Sequence, residues 1–287
     1  MSETLVLLAD ASVFPFVLGV LGLIVGSFLN VVIHRLPRMM EAEWHKACAE
    51  WQGTPRQETE TLTLSRPRSR CPHCGHAITA LENIPVVSYL CLRGKCRGCH
   101  APISPRYPLV EITAALLAVG CALGFPPILP ALAATVLCWA LLVLALIDFD
   151  TQLLPDQITL PLLWLGLLFN LAGGFVPLSS AVLGAVAGYL FLWSVYWLFR
   201  LATGKEGMGF GDFKLLAALG AWLGWKLLPL IILISSVLGA LTGMALIFFA
   251  RRGREVPMPF GPFLAGAGLI ALFFGAEMNR AWLGFLG

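Results

Sequence analysis

Stretches of mostly apolar residues recur along the chain and are separated by short polar or proline-containing segments. A transmembrane helix needs about 20 such residues to cross roughly 30 Å of hydrocarbon, and these stretches meet or approach that length. We predict an all-α, polytopic membrane protein with about eight transmembrane helices. They are Val13 to Ile33, Leu109 to Phe125, Ile128 to Ile147, Ile158 to Phe175, Leu178 to Leu201, Phe213 to Leu228, Leu230 to Ala250 and Pro262 to Phe285.

The sixth stretch is the weakest of these predictions. It is short and carries Lys214 and Lys226, and charged side chains are costly in hydrocarbon. A partly buried or broken helix is therefore an equal alternative to a full span at this point.

One long polar segment, residues 34–108, interrupts the apolar pattern. It divides the chain into an N-terminal transmembrane helix at 1–33, a loop domain at 34–108 and a multi-span membrane domain at 109–287. The first apolar stretch lacks the basic start of a signal peptide and is too long for a signal core. We therefore predict that this first helix is retained.

Charge gives the orientation of these helices. The polar segment 34–108 holds 11 of the 19 Lys and Arg residues but 6 of the 16 acidic ones, so the positive-inside rule places it in the cytoplasm. With eight spans, the basic turn at 251–254 falls on the same side. The chain is 58% hydrophobic and 12% charged, which excludes an ordinary soluble domain, and its net charge of +3 comes without a nucleic-acid-binding module.

Four cysteines in the loop have the spacing of a metal site. Cys71 and Cys74 form one CxxC pair, Cys96 and Cys99 form another, and 21 residues separate the pairs. Two such pairs typically make a tetrahedral thiolate site for zinc, and a closed shell of four thiolates indicates a structural ion. The alternatives are two disulfides or four free thiols, but a cytoplasmic location favours metal over disulfides. A histidine ligand from the neighbouring His73, His76 or His100 is a weaker alternative.

Two acidic clusters lie at the ends of predicted spans, where buried carboxylates are costly. Asp148 and Asp150 end the third span, and Asp212 begins the sixth after Gly209 and Gly211. Because two complete spans separate the clusters, Asp148 and Asp212 are expected at the same membrane face. Two close carboxylates share a proton and can act as an aspartic protease pair.

Simpler roles exist for the same acids. Asp148, Asp150 and Asp156 fit solvated loop acids, and Asp212 fits a helix N-terminal carboxylate that the dipole stabilises. Asp156 follows Pro155 before the fourth span, where a helix-capping role explains it. Asp148 and Asp212 remain the stronger candidates for catalysis.

The sequence Gly209-Phe210-Gly211-Asp212 matches the GxGD motif of intramembrane aspartic proteases. Four more features resemble the type IV prepilin peptidase family: Asp148 after Ile147, the segment Leu154-Pro155-Asp156, the four-cysteine loop and the segment from Gly26 to Pro37. The resemblance runs along nearly the whole chain, and the order of these features makes it specific.

That resemblance implies a bifunctional enzyme of the bacterial inner membrane. Family members cut the leader from type IV prepilins and type II secretion pseudopilins and then methylate the new N-terminal residue with S-adenosylmethionine. Asp148 and Asp212 would be the catalytic pair, and Cys71, Cys74, Cys96 and Cys99 the zinc ligands. No motif in the sequence marks the methyl-donor site, so its expected place, near Gly26 to Pro37 and the zinc loop, rests on resemblance alone.

Two other classes of protein compete with this interpretation. A transporter or channel would carry acids in mid-span, whereas the acids nearest the hydrophobic interior, Glu111 and Glu277, lie near the ends of different spans. A membrane scaffold would explain the cysteine loop but leave the aspartates and their glycines without a role.

Overall fold

A computed structural model describes residues 13–53, 62–205, 207–250 and 258–286. Within these ranges the regular secondary structure is helical, in agreement with the predicted all-α class. The chain forms two compact units, Met1–Thr135 and Val136–Gly287.

The first unit is built on a long helix that packs against a second one. Helix α1 (Val13–Trp51) lies along α3 (Arg106–Gly124), and between them come a 3₁₀ turn (Leu81–Asn83) and the short helix α2 (Val87–Cys91). α1 has 39 residues, so its length is about 58 Å, well beyond the thickness of a bilayer core. The predicted first span therefore continues as one helix past Ile33 into the polar segment.

The helix α4 (Leu129–Thr151) begins in the first unit and ends in the second. Among its described residues, the second unit continues with five α-helices and a 3₁₀ turn. They are α5 (Asp156–Leu171), α6 (Leu178–Thr203), α7 (Phe210–Leu223), the 3₁₀ turn Trp225–Leu227, α8 (Leu228–Ala250) and α9 (Gly261–Leu286).

Helix α7 is the core of the second unit. It packs against α5, α6 and α9, and its residues from Leu215 to Leu223 are all buried. Asn170 of α5 donates hydrogen bonds to the carbonyls of Ala221 and Trp222 at 2.8 and 3.1 Å, which satisfies carbonyls at the end of α7.

The length of α7 decides between the two alternatives for the sixth stretch. Its 14 residues extend about 21 Å, which is too short to cross a bilayer core of roughly 30 Å. The helix ends at Leu223, Gly224 follows with a φ of +80°, and the 3₁₀ turn Trp225–Leu227 leads into α8. The sixth stretch is thus a broken helix that its neighbours surround.

The chain is a multi-pass membrane protein. In the part of the chain that the structure describes, five helical stretches are long and apolar enough to cross a bilayer: Val13–Trp51, Arg106–Gly124, Leu129–Thr151, Leu178–Thr203 and Trp225–Leu246. Two shorter apolar helical stretches, Asp156–Leu171 and Gly261–Gly275, correspond to the fourth and eighth predicted spans.

Candidate active site and metal centre

Asp148 lies in the last turn of α4 and is 5% exposed. Its Oδ2 accepts a hydrogen bond of 2.8 Å from the backbone N–H of Gly261, the first residue of α9. The first N–H groups of a helix have no partner within the helix and carry partial positive charge, so they favour a carboxylate. The start of α9 therefore fixes one oxygen of Asp148.

Asp212 lies in the first turn of α7 and is 7% exposed. Its buried Oδ1 has no hydrogen-bond partner among the residues that the structure describes. Leaving a buried polar atom unpaired costs about 1–3 kcal/mol, so such an atom in a native protein needs an explanation. The neighbouring Gly211 is needed for packing, because a Cβ there would lie 2.6 Å from the Cβ of Leu154.

Asp148 and Asp212 both line one cavity, whereas the spacing of the spans predicts only that they share a membrane face. The cavity has a volume of about 1090 Å³, and residues of α6, α8 and α9 complete its wall. Both carboxylates are more than nine-tenths buried. A buried carboxylate pair that faces a cavity of this size has the arrangement that general acid and base catalysis on a bound peptide requires.

The other two acids of the region are placed differently. Asp150 is exposed, and Asp156 is the first residue of α5. The predicted capping role of Asp156 is wrong, since Pro155 occupies the cap position. Both carboxylate oxygens of Asp156 instead accept hydrogen bonds of 2.7 Å from Nζ of Lys214, which places this lysine of the sixth stretch in an ion pair.

The four predicted metal-binding cysteines form one cluster in the first unit. All four sulfurs lie within 4.8 Å of one another, with Cys71 to Cys99 at 3.8 Å and Cys74 to Cys96 at 3.9 Å. A tetrahedral zinc ion with Zn–S bonds of 2.3 Å requires sulfurs about 3.8 Å apart. The donor set and its spacing therefore fit zinc.

Both cysteine pairs have the same local backbone. The N–H of Cys71 donates to the carbonyl of His76, and the N–H of Cys96 donates to that of Ala101, at 2.9 and 2.8 Å. Each turn closes at a residue with positive φ directly after its second cysteine: Gly75 at +72° and His100 at +58°. Gly75 therefore supplies the left-handed turn of the first pair, and His100 rather than Gly98 supplies that of the second.

The electrostatics of the cluster favour a bound cation. The backbone N–H groups of Cys74 and His73 lower the pKa of the Cys71 thiol to about 6. The backbone N–H of His76 lowers the pKa of Cys74, but desolvation and the neighbouring thiols outweigh it and raise that pKa to about 12. A metal ion at the centre would stabilise all four thiolates together.

The histidines beside the cysteines do not join the cluster in the described part of the chain. Nε2 of His76 instead contacts the carboxylate of Glu82 at 3.2 Å. The N–H and hydroxyl of Thr79 donate to the same carboxylate, and these contacts lower the pKa of Glu82 to about 2. Glu82 thus stays ionised and joins the first cysteine turn to the 3₁₀ turn that follows.

A second cavity, of about 580 Å³, lies within the first unit beside the cysteine cluster. Its wall includes Glu111 of α3, which is 7% exposed and accepts a hydrogen bond of 2.8 Å from the N–H of Val86. Val86 has a φ of +60°, which is strained for a β-branched residue. Glu111 therefore holds the turn that leads into α2.

Sequence analysis missed the structural roles of Gly261 and Glu111. Pro262 in the first turn of α9 is a recognisable sign of a helix start, because proline is tolerated in the first turn of a helix but not in its interior. That sign locates the N-terminus of α9 but gives no distance to Asp148. The sequence shows that Glu111 lies near the end of a span. Its contact with Val86 depends on the path of the loop, which the sequence does not show.

The fold and the two sites define a multi-pass membrane protein with a buried aspartate pair and a four-thiol cluster. Residues 20–125 match the model of the bacterial peptidase A24 N-terminal domain, and residues 135–244 match that of the type IV leader peptidase family.

Several relatives are similar over nearly their whole length and are named prepilin leader peptidase/N-methyltransferase. The protein of Aeromonas hydrophila is 59% identical over 266 residues, which cover 91% of each chain. That of Pseudomonas putida is 56% identical over 269 residues, 93% of each chain. That of Pseudomonas aeruginosa is 55% identical over 270 residues, 93% of this chain and 92% of the relative.

The chain belongs to the type IV leader peptidase family. No solved structure matches it.

Proposed function

We propose that this protein cleaves the leader peptide from type IV prepilins and then methylates the new N-terminal residue. The observation that carries the cleavage step is the buried pair Asp148 and Asp212 at one cavity. The methylation step rests on the relatives, whose names include N-methyltransferase.

The aspartate pair performs the cleavage by general acid–base catalysis. Two close carboxylates share one proton, so the pair holds one carboxylate and one carboxylic acid. The carboxylate accepts a proton from a water molecule, whose oxygen attacks the scissile carbonyl carbon, while the carboxylic acid donates its proton to the carbonyl oxygen. The tetrahedral intermediate then collapses and the C–N bond breaks. The leaving amine takes the proton that the first carboxylate accepted from water, and the second carboxylate takes back a proton from a hydroxyl group of the intermediate, which restores the pair. The N–H of Gly261 keeps one oxygen of Asp148 in place throughout.

Cys71, Cys74, Cys96 and Cys99 are proposed as the ligands of a structural zinc ion. Four thiolates complete the coordination shell and leave no position for an activated water. The ion would supply folding free energy to residues 62–105, a described part of the loop that forms only short turns and the five-residue helix α2.

The second cavity, in the first unit, is proposed as the site of the methyl donor S-adenosylmethionine, which supplies an electrophilic methyl group. The volume of about 580 Å³ lies in the usual range for small-molecule sites. Its wall offers the rings of Tyr89 and Tyr107 for an adenine base, the Glu82 carboxylate for hydroxyl groups and the Arg38 guanidinium for a carboxylate.

We place the protein in the bacterial inner membrane, with the zinc loop and the aspartates at the cytoplasmic face. The excess of Lys and Arg in residues 34–108 supports this orientation. Prepilins carry a basic leader before an apolar stem, and their cleavage point then lies at the level of the aspartates. Type II secretion pseudopilins have the same design and are proposed as further substrates.

The test is a reaction of the purified protein with a purified prepilin in detergent, followed by mass spectrometry of the pilin. We expect the leader to be lost and one methyl group to be added. When S-adenosylmethionine is omitted, cleavage should persist without the methyl group. A prepilin that remains intact under both conditions would contradict the proposed function.

A further inference from the structure

One face of α8 lines the cavity of the second unit with small side chains. They belong to Ser235, Ser236, Gly239, Ala240 and Gly243. Their spacing of three and four residues places them in one stripe along the helix. We call them the α8 stripe. The opposite face differs, because Val237 and Leu241 are large, apolar and 48% and 54% exposed.

The α8 stripe passes the start of α9, which binds Asp148 through Gly261. A Cβ on Gly239 would lie 3.5 Å from Cδ2 of Phe263 and 3.9 Å from Cδ2 of Phe260, and a Cβ on Gly243 would lie 3.0 Å from Cε of Met258. From Gly243 back to Ser235 the helix rises about 12 Å. Large apolar side chains of α6, including Phe191 and Val195, line the same cavity.

The Oδ1 atom of Asp212 also points to a bound ligand in this cavity. Asp212 is 7% exposed, lines the same cavity as the α8 stripe and leaves this oxygen without a hydrogen-bond partner among the described residues. The cavity therefore combines a polar atom that lacks a partner with a helix face that has room for close packing.

We propose that the α8 stripe seats the apolar helical stem that follows the cleaved bond of the substrate. This inference rests on the proposed function. Within hydrocarbon a stem must be helical to satisfy its backbone groups, and small residues on one helix allow a second helix to approach closely. The scissile bond then lies at Asp148 and Asp212, and the stem runs from there towards Ser235. Large apolar side chains of the stem fill the space above the stripe and contribute to substrate selection.

The test compares bulky substitutions on the two faces of α8. Ser236→Phe and Ala240→Phe fill the groove, and Val237→Phe is the matched control on the outer face. Each variant cleaves two substrates: a prepilin with its full stem, and a short peptide that ends a few residues after the cleaved bond. A thermal melt in detergent verifies that each variant is folded.

We expect kcat/KM for the full-stem prepilin to fall roughly tenfold or more in both groove variants. The control should stay within about twofold of the wild type. The loss in the two groove variants should be much smaller for the short peptide than for the full-stem prepilin, since that peptide does not reach the stripe.

Two results would overturn this inference and leave the proposed function intact. One is a groove variant that cleaves the full-stem prepilin as the control does. The other is an equal loss on the short peptide, because the substitution would then act on the aspartates rather than on the stem. A wild-type protein that cleaves neither substrate would remove the proposed function together with the inference.

A second measurement does not depend on substitutions in α8. A prepilin with a diazirine side chain in its stem is bound to the Asp212→Asn protein and irradiated, and the products are mapped by mass spectrometry. We expect cross-links within residues 232–244. Cross-links confined to other helices would contradict the inference. The inference would also be contradicted if Ser236→Phe released bound phospholipid or dissociated an oligomer but left prepilin cleavage unchanged.

Discussion

The backbone N–H of Gly261 donates a hydrogen bond of 2.8 Å to Oδ2 of Asp148, although 113 residues separate the two. The bond joins the first residue of α9 to the last turn of α4 and gives Asp148 a fixed orientation. Asp212 has no such bond at its Oδ1 in the described part of the chain. One carboxylate of the pair is therefore held by the protein, and the other presents an open oxygen.

This contact predicts that Gly261→Ala impairs leader cleavage. A Cβ at this position would lie 2.7 Å from Oδ2 of Asp148, so the carboxylate must move. A displacement of about 1 Å at a reacting group costs roughly 100-fold in rate, and we expect kcat to fall by 10- to 100-fold. Gly266→Ala, on the same helix where a Cβ meets open space, is the control and should retain wild-type kcat.

The cysteine cluster predicts the metal content of the protein. Cys96→Ser should lower bound zinc to well below one ion per chain, because the remaining three thiolates no longer close the shell. Cys91→Ser is the control, since Cys91 lies in the same loop outside the cluster and is exposed. Metal analysis of both purified variants gives the answer, and an unchanged zinc content in Cys96→Ser would contradict the ligand assignment.

The contact between Glu111 and Val86 predicts a local change in stability. Glu111→Ala removes the acceptor of the Val86 N–H and should destabilise the turn into α2 by about 1–3 kcal/mol. Hydrogen exchange of residues 84–94 should accelerate accordingly. Glu111→Gln keeps an acceptor oxygen, so its exchange should remain closer to that of the wild type; equal acceleration in both variants would show that hydrogen-bond acceptance is not what holds the turn.

The packing of α6 against α7 predicts a global change in stability. A Cβ on Gly220 of α7 would clash with the backbone carbonyl of Gly184 of α6. We expect Gly220→Ala to cost about 1–3 kcal/mol and to lower Tm in detergent. Gly239→Ala places its Cβ at an ordinary contact distance of 3.5 Å from Phe263 and should leave Tm unchanged. If both variants had the same Tm, the contact between α6 and α7 would not be as tight as described, and the prediction would be wrong.

The apolar pattern predicts the helices well because hydrocarbon requires long apolar stretches with satisfied backbones. It leaves the sixth stretch undecided, because α7 is apolar enough for a membrane but lies inside the second unit, where its neighbours replace lipid. Its Lys214 is tolerated because Asp156 pairs with it.

In the candidate sites, too, the sequence predicts some features and leaves others to the tertiary structure. CxxC spacing predicts the cysteine cluster because both sulfurs of a pair must face one ion, and two intervening spans predict that Asp148 and Asp212 share a face. The α8 stripe was visible only as abundant small residues suited to close helix packing. Its role depends on which face lines the cavity, and that is a property of the tertiary structure.

The most direct test of the central claim measures prepilin cleavage by Asp148→Asn, Asp212→Asn and the exposed control Asp150→Asn, with methyl transfer to a pre-cleaved pilin measured separately. The account predicts that the first two variants lose cleavage and keep methyl transfer, while Asp150→Asn keeps both activities. Cleavage at a near wild-type rate by either Asp148→Asn or Asp212→Asn would contradict the claim that these two aspartates form the protease site.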